Sequence, residues 1–311
     1  MASDNSLGQN TTPPLTLLQR FLGSRWVTGA GMFLGKRLSP PFGYGLADLI
    51  SGLINWLKPE VYWVLHANLR HVLGPQADEK TLHRLTRQAF RNNARNDYDL
   101  WHLVSRGSEA IRAAVHFPAQ AWDNLEQARK RNKGVIIVGA HTGNFDLGIL
   151  ALAAHKLDIQ VLGLASPPAG GFNLMDRMRA RLGVRMTNIG PSALREAINR
   201  LRGGGIVLTG VDRPVEGAEQ GIEFFGRPAL LPTGHVRLAL KTDAAILVAS
   251  PYRDPRRGNM VRLSPPLVMA RTGDRAQDTL VNLRRVTGWL ERYIRACPEQ
   301  WAMFLPVWQG M

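Results

Sequence analysis

A histidine and an aspartate five positions apart, His141 and Asp146, stand where a short apolar run gives way to small polar residues: Val135-Ile136-Ile137-Val138-Gly139-Ala140-His141-Thr142-Gly143-Asn144-Phe145-Asp146. Such a pair suits proton transfer, because a histidine acting as general base needs a carboxylate to fix its ring and stabilise the imidazolium that forms. A free imidazole titrates near pH 6.5, so a neutral base is available at pH 7 without unusual tuning. The β-branched run predicts a buried strand over 134–139. Residues five apart on one helix point about 140° apart, so the two side chains meet only if His141 precedes the helix. Gly143 and Asn144 suit the turn this requires, with Asn144 as the N-cap. The expectation is strand, tight turn, histidine at the strand mouth and acid in the first helical turn, with Asp146 holding the His141 ring.

Further blocks accompany this one. In order they are Asp176-Arg177-Met178-Arg179-Ala180-Arg181-Leu182-Gly183, Gly210-Val211-Asp212-Arg213-Pro214, Phe224-Phe225-Gly226-Arg227-Pro228-Ala229 with Pro232-Thr233-Gly234, and Pro298-Glu299-Gln300-Trp301. Together with the His-x4-Asp block, they resemble the signature of the bacterial lipid A biosynthesis (late) acyltransferases, within the wider glycerolipid acyltransferase group. Counting a match around Pro40–Leu73, the resemblance covers most of residues 40–308. Arg213 stands where that family more usually has glutamine, and His235 where proline is common.

The resemblance implies transfer of a fatty acyl chain from a thioester donor, acyl-CoA or acyl carrier protein, to a hydroxyl of a membrane glycolipid or phospholipid. It implies direct displacement, with no bound cofactor and no metal. His141 would be the general base and Asp146 its partner. Arg179 would face the oxygen that gathers negative charge, with Arg177 and Arg181 close behind. These three arginines alternate at a spacing of two, so a helix does not present them on one face. Asp212, after an apolar strand, is expected to position structure or substrate. Arg227 would contact a phosphate of donor or acceptor, Asn144 would line the site while shaping its turn, and Thr233-Gly234 would cap the next helix. The same His/Asp pair could instead activate water, giving a thioesterase or lipid hydrolase. A non-enzymatic basic lipid-binding protein is the third reading.

Charge favours an anionic partner. Lys and Arg number 39 against 24 acidic residues, a formal net charge of +15, and such a surface attracts polyanions. No zinc-finger spacing, RNA-recognition signature or basic-heptad region is present, so no nucleic-acid partner is expected. The single cysteine, Cys297, excludes an intramolecular disulfide and fits a reducing compartment. It has no activating cluster, and no Gly-x-Ser-x-Gly elbow occurs. His66, His71, His83, His102, His116, His155 and His235 show no metal-ligand spacing with acids or cysteines.

Residues 1–15 read as a flexible polar tail without the pattern of a signal peptide. Leu15–Leu38 is amphipathic, but Arg20, Arg25 and Lys36 interrupt it before it reaches the roughly 18 apolar residues of a span. The expectation is a peripheral protein on the cytoplasmic face of the inner membrane, lying on an anionic surface rather than crossing it. Helical periodicity recurs over 45–57, 59–73 and 78–105. Beyond residue 118 apolar runs alternate with helical patterns, including strands at 159–164, 186–189, 205–211, 244–250 and 260–263, and helices at 230–241 and 277–297. That alternation predicts an α/β fold: a mostly parallel sheet flanked by helices, with a helical N-terminal region. A helical region over 16–117 and an α/β core over 118–311, continuous with it, are the expected divisions. Ligands of such sheets gather at the strand C-terminal ends, where both His141 and Asp212 fall.

Overall fold

The computed structural model describes residues 24–163, 170–214 and 221–308. The expected flexible tail at 1–15 and the first residues of the helical region, 16–23, lie outside them. Four helices come first: α1 (Arg25–Arg37), α2 (Pro40–Leu57), α3 (Glu60–Leu73) and α4 (Glu79–Val104). Asp78 caps α4 by accepting the Thr81 N–H at 2.7 Å. Helix α1 lies directly on α4 because it carries glycine at the contact. A Cβ on Gly31 would stand 2.2 Å from the Trp101 ring, too close for any side chain. The facing sides of α3 and α4 bury Tyr62, Leu65, Leu69, Leu82, Leu85, Ala89 and Phe90 in a core of their own.

The rest of the chain alternates: α5 (Ser108–Ala114), β1 (Val115–His116), α6 (Ala119–Arg129), β2 (Val135–Gly139), α7 (Phe145–Ala154), β3 (Ile159–Gly163), α8 (Gly170–Arg181), β4 (Arg185–Asn188), α9 (Pro191–Arg202), β5 (Ile206–Gly210), β6 (Ile222–Phe224), β7 (Arg227–Ala229), α10 (Gly234–Thr242), β8 (Ala245–Asp254), β9 (Gly258–Leu263) and α11 (Arg275–Ala296). Seven strands form one sheet in the order β1-β9-β8-β2-β5-β3-β4. Every pairing in it is parallel except β8 with β9. Strand β2 is buried along its length because helices cover both faces. Ile136 and Val138 enter the layer built with α9, α10 and α11. Val135 and Ile137 enter the layer built with α6 and α7. The α/β architecture with leading helices therefore agrees with the pattern in the sequence.

Three local expectations are corrected. Helix α10 begins at Gly234, not near residue 230: residues 230–233, Pro232 among them, form a loop after the antiparallel hairpin of β6 and β7. Thr233 stands at the N-cap of α10 but makes no side-chain capping bond. Strand β8 runs to Asp254 rather than stopping at 250, since β9 folds back along it through residue 258.

Candidate active site

The site forms where β2 and β5 end side by side. Gly139 pairs with Gly210 in parallel register, so residues two beyond each strand, His141 and Asp212, emerge together. The Val211 N–H donates to the Gly139 carbonyl at 3.1 Å, extending the register into the loop. Asp212 then accepts two hydrogen bonds from His141: the backbone N–H at 2.8 Å and ring Nδ1 at 2.6 Å. The indole Nε1 of Trp301 donates to the same carboxylate at 2.9 Å. Asp212 and Trp301 are both fully buried. Burial would raise the carboxyl's pKa, but the adjacent His141 charge and the hydrogen bonds from ring, indole and backbone together hold it below the usual carboxylate value.

An ionised Asp212 on Nδ1 fixes the tautomer. Nδ1 carries the proton, and the lone pair is at Nε2. Nε2 makes no hydrogen bond among the described residues, and the His141 side chain keeps 15% of its surface exposed. The ring lies against Phe145 edge-on, with centroids 4.9 Å apart. On the other side it lies over Gly210, where an added Cβ would stand 3.1 Å from Cε1. A third segment closes the loop from below. The Gly143 N–H donates to Gln300 O, and Ala302 N–H donates to His141 O, both at 2.8 Å.

The expectation that Asp146 holds the His141 ring is corrected. Asp146 stands in the first turn of α7 as foreseen, but its Oδ1 accepts from Arg179 Nε at 2.9 Å and Nη2 at 2.7 Å. The reason is topological: the parallel partner strand brings a carboxylate nearer the ring than the following helix can. Arg179 is corrected too. Its Nη1 donates to Asp176 at 2.7 Å, so the whole guanidinium is engaged by carboxylates. Burial works to lower its pKa, but the charges of Asp146 and Asp176 outweigh it and keep it above its ordinary value. Arg179 therefore ties α8 to α7 rather than standing open to a reacting oxygen.

Asn144 caps α7, its side chain accepting the Leu147 N–H at 3.2 Å and donating to Asn96 O at 2.8 Å. It is buried and spent on the fold, not open to substrate. Arg177 and Arg181 lie exposed on α8. Arg227 is bonded to neither His141 nor Asp212; it reaches His71 Nε2 at 3.1 Å.

Residues without an assigned role in the sequence reading also shape the site. Trp301 belongs to a recognisable block, but nothing local assigns its indole to Asp212. Arg213 is exposed as a residue, while packing around its guanidinium lowers its pKa against the pull of Asp212 and Asp146. It remains a cation at the mouth of the site. Burial, with the Asp146 charge adding to it, pushes the Asp97 carboxyl up to about 7. Among the described residues, the one group able to hold a metal ion lies elsewhere, at His66, Glu79 and His83.

The family model for bacterial lipid A biosynthesis acyltransferases matches residues 15–310 of this chain. Two proteins of Mycobacterium tuberculosis, from strains ATCC 25618/H37Rv and CDC 1551/Oshkosh, are each named phosphatidylinositol mannoside acyltransferase. Both are 25% identical to it over 189 residues, 60% of this chain and 58% of theirs. The match thus spans less than two thirds of the length of these relatives.

Proposed function

This chain belongs to the bacterial lipid A biosynthesis acyltransferase family, and we propose that it moves a fatty acyl chain from a thioester, acyl-CoA or acyl carrier protein, to a hydroxyl of a membrane glycolipid or phospholipid. One observation carries the reading: His141 has Nδ1 locked on buried Asp212, and Nε2 turned out with no partner among the described residues. The acceptor hydroxyl gives its proton to Nε2 as its oxygen attacks the thioester carbonyl. The carbonyl oxygen becomes an oxyanion, and Asp212 stabilises the imidazolium across 2.6 Å. When the tetrahedral intermediate collapses, the C–S bond breaks and the leaving thiolate takes the proton from Nε2. General-base assistance of this kind contributes about 10²–10⁴ in rate. With Arg179 engaged and the Leu147 N–H capped by Asn144, the oxyanion falls to Arg213 and to the backbone N–H groups of Phe145 and Asp146 at the start of α7.

The outer helices support a lipid acceptor. Trp26, Phe33, Phe42, Leu49, Leu53 and Trp56 on α1 and α2 are all more than half exposed. Arg25 lies over Trp26 and Arg37 over Phe33, so cations border the apolar face. No helix among the described residues is long and apolar enough to cross a membrane. Such a face rests on an anionic bilayer, rings in the acyl boundary and guanidinium groups at the phosphates. A peripheral place on the cytoplasmic leaflet follows if the donor is a cytoplasmic thioester. The names of the mycobacterial relatives make a polyol glycolipid the first acceptor to try.

The test incubates the protein with radiolabelled acyl-CoA, then acyl carrier protein thioester, on vesicles of bacterial polar lipid with and without added mannosylated phosphatidylinositol, beside His141→Ala. Label entering a lipid only with the unmodified protein is the expected result. Free fatty acid released in its place would assign a hydrolase, and turnover unchanged in His141→Ala would end the proposal.

A further inference from the structure

The hairpin of α3 and α4 gathers a second constellation away from His141. His66 on α3 is 6% exposed, and its buried Nε2 has no hydrogen-bond partner. Glu79 and His83 stand one helical turn apart at the start of α4, on the face turned to α3. One donor atom from each of His66, Glu79 and His83 lies within 4.8 Å of the other two.

The spacing fits an ion better than a hydrogen bond. His66 Nε2 and Glu79 Oε2 are 3.3 Å apart, whereas the bonded His141–Asp212 pair is 2.6 Å apart. Two ligands at about 2.0–2.2 Å from a tetrahedral centre sit about 3.4 Å from each other. The outer partners are also those of a ligand set. The Tyr62 hydroxyl is 2.9 Å from His83 Nδ1, which directs Nε2 away from it. Arg70 takes the other carboxylate oxygen of Glu79, leaving Oε2 toward His66. Cations also border the trio. The same cations, Lys58 and Arg70 among them, weaken the attraction of a dication, and the single Glu79 charge offsets them only in part.

We propose that His66, Glu79 and His83 form a three-ligand site for a divalent ion of the zinc class, with water in the fourth position. His83 closes on the ion by a small swing of a partly exposed ring. The ion clips α3 to the first turn of α4. Both helices hold the segment that carries Trp301: Asn68 of α3 donates to Met303 O and Leu305 O, and Asn92 of α4 donates to Glu299 O. The site is thus a brace for that segment and takes no part in acyl transfer.

The test titrates tag-free, chelator-treated full-length protein with Co²⁺, then Zn²⁺, and repeats it with Glu79→Gln and His83→Ala. One equivalent of Co²⁺ is expected to give the intense visible absorption of tetrahedral cobalt, bleached by one equivalent of Zn²⁺. Zn²⁺ at a hundredfold excess over its Kd should raise Tm by about 5 °C. Both variants should lose these responses, and Glu79→Gln, at an exposed carboxylate, should keep the metal-free Tm. Sub-stoichiometric binding, a weak octahedral spectrum, or the same spectrum in His83→Ala would overturn the site.

Discussion

Replacing Asp212 by Asn separates the roles of the two aspartates, because the side chain keeps its shape and loses its charge. In the ground state the neutral His141 ring loses one charge-assisted hydrogen bond. In the transition state, where the ring is imidazolium, it loses an ion pair with Nδ1 and Oδ1 at 2.6 Å. With charge centres about 4 Å apart and an effective dielectric of about 20, that pair is about 4 kcal/mol. The Asn carbonyl restores about 1 kcal/mol as a neutral hydrogen bond. The remainder lowers kcat by about 10²-fold, at 1.36 kcal/mol per factor of ten. Stability falls as well. Asp212 accepts three donors, and the Asn amide must turn its own N–H₂ toward one of them, at about 1–3 kcal/mol. Asp146→Asn is the companion variant. It breaks the part-buried pair with Arg179, 2.7 Å apart, so its first effect is on Tm, with a smaller loss of kcat. Single-turnover acyl transfer, run well below the Tm of each variant, gives the comparison. A hundredfold loss in Asp146→Asn with unchanged Tm, beside less than tenfold in Asp212→Asn, would refute Asp212 as the group that holds the histidine.

Other substitutions reach the same network from different sides. Gly210→Ala sets a methyl 3.1 Å from His141 Cε1, so the ring must shift by a few tenths of an ångström from Asp212; kcat should drop about tenfold with KM and Tm little changed. His235 is buried with both ring nitrogens unpartnered, and burial lowers its pKa to about 4. Between pH 6.5 and 4 the unfolded chain therefore binds a proton that the folded one refuses. Stability from this residue falls across that window by about 3 kcal/mol in all, and His235→Leu should flatten the slope in thermal unfolding. Asp97 runs the opposite way. Its carboxyl is raised to about 7, so the folded form holds a proton that the unfolded one has released above pH 3.8, and stability falls as pH rises toward 7. Asp97→Asn, which mimics the protonated form, should exceed the parent Tm by a margin that grows from pH 4 to pH 7 and then levels off.

What the sequence allowed to be read follows from how local each determinant is. Strand β2, the turn and the cap by Asn144 depend on a dozen adjacent residues, and all three form as that stretch predicts. The placing of His141 and Asp212 at strand mouths was also legible. The choice between Asp146 and Asp212 was not, because it depends on Gly139 lying opposite Gly210 in the sheet, 71 residues away by chain. Hairpin β6–β7 escaped notice for a conformational reason. Its turn holds both Phe225 and Gly226 at positive φ, 51° and 75°, and phenylalanine does not signal such a turn as asparagine would. The trio His66, Glu79 and His83 has no sequence spacing of a metal motif, since an interhelical contact assembles it.

Trp301 gives the site a temporal order. It donates to a carboxylate 89 residues earlier in the chain and bridges a backbone at Thr142. During synthesis from the N-terminus, β2 and β5 can pair long before the indole exists to finish their site. Until residue 301 has emerged, His141 rests on an aspartate lacking one of its three donors, in a loop not yet clamped from below. A nascent or proteolytically shortened chain is thus a poor catalyst by construction. The site is not complete until nearly all of the chain has folded.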